Sequence, residues 1–308
     1  MLGRRNLLLL VFLLCLVALE FLLRNPLAGR GASSELFPGL DPDQVGGIAI
    51  VSGEQSVHLD LKGGLWVVRE RDDFFAEEFL VDSLLKRLPD LSTSDVVAAE
   101  PSSQRLYGLG EGATEVRLSS VSGEPLLGFR VGRPDPGTQG SYVLPDGQAG
   151  IYRAASLALP RADPALWLNL HLIAGFDMTQ VQRVELGFQD GRTLNLQKLE
   201  NGRWNAVGLE KSLAPTQVQH LMSFAMNAVL RDVADVGRAE AGLELPELSL
   251  SFFLEKGLRR LDLGAALGQG RAASSPDWGS AWVVEVPLST AQSLERTAAQ
   301  IYSNLHQE

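Results

Sequence analysis

Two stretches decide how this chain is read: "YGLGEGATEVRL", residues 107–118, and "AGLELPELSLSF", residues 241–252. In the first, Gly108, Gly110 and Gly112 fall at every second position, which raises the question of a phosphate-cradling loop. A phosphate cradle needs its backbone amides at a helix N-terminus directly after a strand. Here an alternating strand pattern follows the glycines, and the twin stretch keeps only the first glycine and its leucine, Gly242-Leu243. A fixed Gly-Leu with variable neighbours reads as a backbone turn followed by a core plug.

Outward from this element the chain repeats itself. Val45, Ile48 and Ile50 match Val181, Val184 and Leu186, each 136 positions on, and Trp66 matches Trp204. Each copy opens with an alternating strand, a turn glycine (Gly53, Gly191), a second alternating strand, and a glycine turn into a third. A helix follows. In the first copy Phe79, Leu80, Leu84, Leu88 and Leu91 form the apolar stripe, with Asp72, Asp73, Glu77 and Glu78 near its start. In the second copy Pro215 suits the first turn and Val218, Leu221, Ala225 and Val229 form the stripe. Beyond the glycine element, Val116 and Leu118 match Leu248 and Leu250, Gly132 matches Gly264, and "SYVL" matches "AWVV", with Tyr142 opposite Trp282.

The N-terminus reads as a membrane address. Arg4 and Arg5 precede an apolar run over residues 7–23, interrupted only by Glu20. Seventeen residues of helix span about 26 Å, close to the hydrocarbon thickness of a bilayer. A cleaved signal peptide has a shorter apolar region and a small-residue exit. The exit here, "LEFLLRNPLAG", is bulky and favours an uncleaved anchor, and the basic start favours a cytoplasmic N-terminus.

Composition narrows the function. The 308 residues carry 27 Lys+Arg against 37 Asp+Glu, a formal charge of −10, which disfavours a nucleic-acid binder. The single cysteine, Cys15, lies in the apolar run, so neither an internal disulfide nor a Cys-based zinc site is available. His58, His171, His220 and His306 form no H-x-x-x-H pair, and no G-x-S-x-G elbow occurs. The carboxylates at 72–73 and 77–78 read as helix N-terminal charges rather than an acid-base pair. "GAALGQGRA", residues 264–272, lacks dinucleotide-loop spacing. Trp66, Trp204, Trp282 and Tyr142 occupy strand positions that suit core packing. Two tryptophans stand apart as a candidate interaction surface: Trp278, after a Ser/Pro loop, and Trp167, in "DPALWLNLHLI", where Asp163-Pro164 reads as an N-cap and first-turn pair.

Taken together, Trp66, Leu84, Leu85, Leu88, Leu91, Tyr107-Gly108-Leu109, Val131-Gly132, Tyr142-Val143 and Ile151-Tyr152 resemble the family called domain of unknown function 4340. The resemblance covers nearly everything after the linker. The second copy departs from it at Ala241, where the pattern has Tyr. It implies a single-span protein with an extracytoplasmic α+β region, encoded near ABC-type transport components, and it implies no enzyme activity.

The resulting expectation is an α+β protein: an N-terminal transmembrane helix, then two tandem repeats, each an antiparallel sheet packed on one main helix. The expected divisions are an anchor over residues 1–24, a linker over 25–43, repeats over 44–160 and 177–304, and a connecting helical segment over 161–176. The expected role is a single-pass bacterial inner-membrane protein whose main domain is periplasmic. It would act as an accessory or scaffold of an ABC-type transport or gliding-motility-like complex, without catalysis, cofactor or metal. The alternative is a periplasmic module binding an envelope glycan or lipid in the cleft between repeats.

Overall fold

The structure is a computed structural model and describes residues 35–92, 95–173, 175–278 and 282–306. The apolar run at residues 7–23, expected as the membrane anchor, lies outside the described residues. Among the described residues no helix is long and apolar enough to cross a membrane.

The first repeat contains strands β1 (Val45–Ser52), β2 (Gln55–Lys62), β3 (Leu65–Val68) and β4 (Phe74–Phe75), then helix α1 (Glu78–Leu85) and β5 (Val96–Ala98). After the glycine element come β6 (Thr114–Ser120), β7 (Pro125–Pro134), β8 (Ser141–Pro145) and β9 (Ile151–Ala154). The second repeat follows the same order: β10 (Val181–Phe188), β11 (Thr193–Lys198), β12 (Trp204–Ala206), β13 (Ser212–Leu213), α2 (Pro215–Met226) and β14 (Asp232–Ala234). Then come β15 (Leu248–Leu254), β16 (Leu258–Leu267), β17 (Gly270–Ser274), β18 (Val283–Pro287) and a last helix, α3 (Leu288–His306).

Two nine-stranded sheets result, ordered β4-β3-β2-β1-β6-β7-β8-β9-β5 and β13-β12-β11-β10-β15-β16-β17-β18-β14. One order maps onto the other strand for strand. The expected α+β architecture with two antiparallel sheet repeats is therefore present.

Equivalence extends to the register. Ile48 lies opposite Leu118 and Ile50 opposite Val116; Val184 lies opposite Phe252 and Leu186 opposite Leu250. All eight side chains are buried. Each contributes about 1.5–3 kcal/mol by leaving water. The first strand of each sheet carries the same irregularity, between Val45 and Gly47 and between Val181 and Arg183. These registers correct the sequence match: Val116 and Leu118 correspond to Leu250 and Phe252, not to Leu248 and Leu250. A slip of two residues preserves which face each side chain takes, so an alternating pattern cannot detect it.

A second correction concerns Tyr142. It lies in β8, whose counterpart by sheet order is β17, whereas Trp282 directly precedes β18. The core residues agree: Leu109 packs with Tyr142, Leu144 and Ile151, while Leu243 packs with Ala241, Ala272 and Val283. Alanines in β17 fill what aromatic and branched residues fill in β8, and so small a side chain gives no hydropathy signal.

The helices depart from expectation in detail. On α1 the buried face is Val81, Leu84 and Leu85, continued by Leu88, while Phe79 and Leu80 point outward. Phe79 lies two positions before Val81, about 200° round a helix of 3.6 residues per turn. On α2 the buried residues are Val218, Leu221, Met222 and Ala225, and Val229 falls beyond the helix. Pro215 stands in the first turn as expected. The second repeat carries two main helices, not one. Ala291, Leu294, Ala298, Ile301 and Leu305 give α3 a buried stripe at spacings of three and four, and α3 packs on α2.

By compactness the described chain divides differently from the repeats. One unit holds residues up to Gln55 with Asp82–Ala162; the other holds Ser56–Val81 with Asp163 onward. The second unit therefore includes a segment of the first repeat.

Candidate interaction surface

The glycine elements are turns in both copies. Gly108 has φ +71° and Gly242 φ +68°, the left-handed region that glycine enters freely. A Cβ on Gly108 would stand 2.8 Å from the Arg133 amide nitrogen, and one on Gly242 3.1 Å from the Ala265 nitrogen. The next residue plugs the core each time. Leu109 N–H donates to Gln104 at 2.8 Å and Leu243 N–H to Arg238 at 2.8 Å, and both side chains are buried.

In the first unit a polar cluster surrounds Asp135, 5% exposed. Its carboxylate accepts from Gly137 N–H (3.2 Å), the Thr138 hydroxyl (3.0 Å) and the Tyr142 hydroxyl (2.9 Å), and Arg153 lies 3.0 Å away. Burial pushes this carboxyl up, but the hydrogen bonds from Gly137, Tyr142 and Thr138, with Arg153, outweigh it and hold it below the ordinary range. The same hydrogen bond to Asp135, with burial, pushes the Tyr142 phenol up. The cluster ties β7 to β8 and β9.

The second unit contains a seam where Ser56–Val81 meets residues distant in sequence. Arg71 grips Asp232 with two hydrogen bonds, Nε–Oδ1 at 2.5 Å and Nη2–Oδ2 at 2.8 Å. Hydrogen bonding to Asp232 raises the guanidinium pKa against the opposing effect of partial burial. Trp282 Nε1 donates to the Asp72 carbonyl at 3.0 Å, and its ring meets Phe74 and Phe75 edge-on, with centroids 5.5 Å apart in each pair. Glu77 N–H donates to the Trp167 carbonyl at 2.7 Å, and Asn169 N–H to Phe75 at 2.9 Å. Asp72 and Asp73 turn the chain into this seam with φ of 52° and 59°, a conformation Asp tolerates better than most residues.

The sequence-based candidates fall as follows. Trp167 is 6% exposed, so its ring belongs to the core. Trp278 ends a short 3-10 turn, Pro276–Trp278, and its side chain lies outside the described residues. Asp72 and Asp73 belong to the seam turn rather than to the start of α1, and Asp73 pairs with Lys62 at 2.7 Å. His58 is held by Glu70 at 2.5 Å, and His306 stacks on Tyr302. Among the described residues no group of three or more His, Cys, Asp or Glu is placed to hold a metal ion. Asp163 caps its turn, accepting from Ala165 N–H at 3.1 Å, and the turn is a single one, Pro164–Trp167.

Phe79, expected on the apolar stripe, is 73% exposed on α1. Its position two residues before Val81 carries the signal: no face that buries Val81, Leu84 and Leu85 can also bury Phe79.

These features define an α+β protein of two matching sheet repeats. A family model described as domain of unknown function (DUF4340) matches residues 66–246, more than half of the 308-residue chain. The chain belongs to the DUF4340 family. No curated protein and no solved structure matches it.

Proposed function

We propose that this protein is a membrane-anchored periplasmic accessory or scaffold subunit, held in the inner membrane by residues 7–23, that binds a component of an ABC-type transport or gliding-motility-like complex and carries out no catalysis. The observation that carries the reading is Phe79. A phenylalanine 73% exposed on an outward helix face, with Leu80 beside it, keeps apolar surface in water that a partner would cover. Aromatic side chains of this kind anchor protein interfaces. The apolar run and its basic flank support the membrane placement.

The test is affinity purification of the full-length protein in mild detergent, with bound subunits identified by mass. ABC-type ATPase or permease subunits are expected with the wild-type chain and not with Phe79→Asp. Recovery of the wild-type protein alone would contradict the proposal. Protease added to spheroplasts is expected to degrade the region after residue 35, and protection of that region would contradict the topology.

A further inference from the structure

The outward face of the second sheet carries a recess. Val184, Leu186, Leu196, Leu250, Phe252 and Leu261 fill the core side of β10, β11, β15 and β16. The alternate residues form two rows on the other side. One row runs Asn195, Glu185, Ser251, Arg260; the other runs Thr193, Gly187, Ser249, Asp262, Ser274. Most of these residues line a recess of about 280 Å³. A second recess of about 220 Å³ is lined by Arg238, Arg260, Asp262, Ser274 and Pro276, so Arg260 lines both.

The recess opens at Gly187. Its φ is not left-handed, and a Cβ there would meet only Ser249 Cβ, at an ordinary 3.6 Å. Neither backbone nor packing demands glycine, and any larger side chain would fill the floor. In the first repeat the equivalent positions hold Val51, Glu115 and Arg117, and Glu115 and Arg117 pair with each other at 3.0 Å. Val51, Glu115 and Arg117 stand where the second copy has Gly187, Ser249 and Ser251.

The chemistry of the lining is divided. Thr193, Asn195 and Ser251 present a hydroxyl, an amide and a hydroxyl, with no side-chain hydrogen-bond partner among the described residues. At the other end Asp262, almost fully buried, accepts from the Ser249 hydroxyl at 2.6 Å and from Arg260 Nε at 2.9 Å. This holds Arg260 at its Nε where the residue lines both recesses. Arg238 lines the second recess with it, donating to the Ser274 hydroxyl at 2.6 Å and to the Leu243 carbonyl at 3.3 Å. Two guanidiniums stand against the one buried carboxylate at this end, while Glu185, which lines the recess between Asn195 and Ser251, pairs with Arg183 at 3.4 Å. Forked guanidinium donors match a carboxylate or phosphate, and neutral donor-acceptor groups match sugar hydroxyls.

We propose that this face binds an anionic saccharide unit, with its carboxylate or phosphate at Arg260 and Arg238 and its hydroxyls on Thr193, Asn195 and Ser251. The site is independent of the partner surface at Phe79.

Titration calorimetry on the full-length protein in detergent tests it with four probes: glucuronate, glucose 6-phosphate, glucose and inorganic phosphate. Saturable binding of glucuronate or glucose 6-phosphate is expected, at least about tenfold tighter than glucose or inorganic phosphate. The preferred probe of the two identifies the anionic group. Arg260→Gln is expected to weaken that binding about tenfold or more. Gly187→Val, which fills the floor and leaves every charge in place, is expected to abolish it with the far-ultraviolet spectrum unchanged. No saturable binding of either anionic sugar would overturn the proposal. So would equal binding of glucose or of phosphate alone, or unchanged binding in a folded Gly187→Val protein.

Discussion

Arg71 and Asp232, 161 positions apart, face each other in a two-pronged ion pair in the second unit. Arg71 belongs to the first repeat by sequence and Asp232 to the second, so the pair joins chain that the duplication separates. With Trp282 on Asp72, Phe74 and Phe75, it fixes the segment Ser56–Val81 into the unit formed from Asp163 onward.

If the pair holds the seam, Arg71→Ala and Asp232→Ala are coupled. Both side chains keep about a quarter to a third of their surface in water, so solvent weakens the interaction. Each single substitution is expected to cost about 1–2 kcal/mol in denaturant unfolding, with a coupling of about 1 kcal/mol in the double-mutant cycle. Additive losses would show that the two side chains act separately.

The glycines of the opening motif are unequal. Gly108 has a left-handed φ and an amide nitrogen 2.8 Å from where a Cβ would stand, whereas Gly112, also left-handed at φ +84°, has nothing within 4 Å. Gly112→Ala is expected to cost about 1 kcal/mol from backbone strain alone, and Gly108→Ala about 2–3 kcal/mol from strain and clash together. Gly242→Ala, with its contact at 3.1 Å, falls between them. Equal losses in all three would contradict a turn shaped by close approach.

Two carboxyls give opposite pH dependences. Asp135 is held below the ordinary carboxylate range in the fold, so its contribution is complete above the unfolded-state value and is lost as pH falls through the folded one. Asp135→Asn should flatten the acid limb of the stability profile. Glu295 on α3 is pushed up by burial, against the pull of Arg271 and with added repulsion from Glu247. Its ionisation therefore opposes folding, and stability from this group grows as pH falls. Glu295→Gln should gain on the wild type as pH rises from the ordinary carboxylate range upward. Denaturant unfolding across pH checks both, and parallel profiles for the two variants would refute the assignment.

The duplication was legible because it is written in large, local features: Gly-Leu turns, paired Gly132 and Gly264, and alternating Val, Ile and Leu. Each has a fixed consequence in backbone angle or burial. What escaped detection has a physical reason in each case. The match after Gly242 slipped by two residues because strand alternation repeats every two. Strand β17 buries alanine, which leaves a faint hydropathy trace, and so do Ala291 and Ala298 in the stripe of α3. Apolarity alone places Phe79 on the stripe, although its angular position excludes it. The seam has no local signature, because Arg71 and Asp232 carry no periodicity that links them. The recess depends on which small residues meet across four strands, and that follows only from register.

The most direct test of the central claim places a photoreactive phenylalanine analogue at position 79 of the full-length protein in intact cells, with the same probe at Val121, 70% exposed on the first unit, as the comparison. Irradiation is expected to join position 79, and not position 121, to an ABC-type permease or auxiliary subunit. Absence of an adduct at position 79, or the same adducts from both positions, would contradict a protein whose work is to present this surface to a partner.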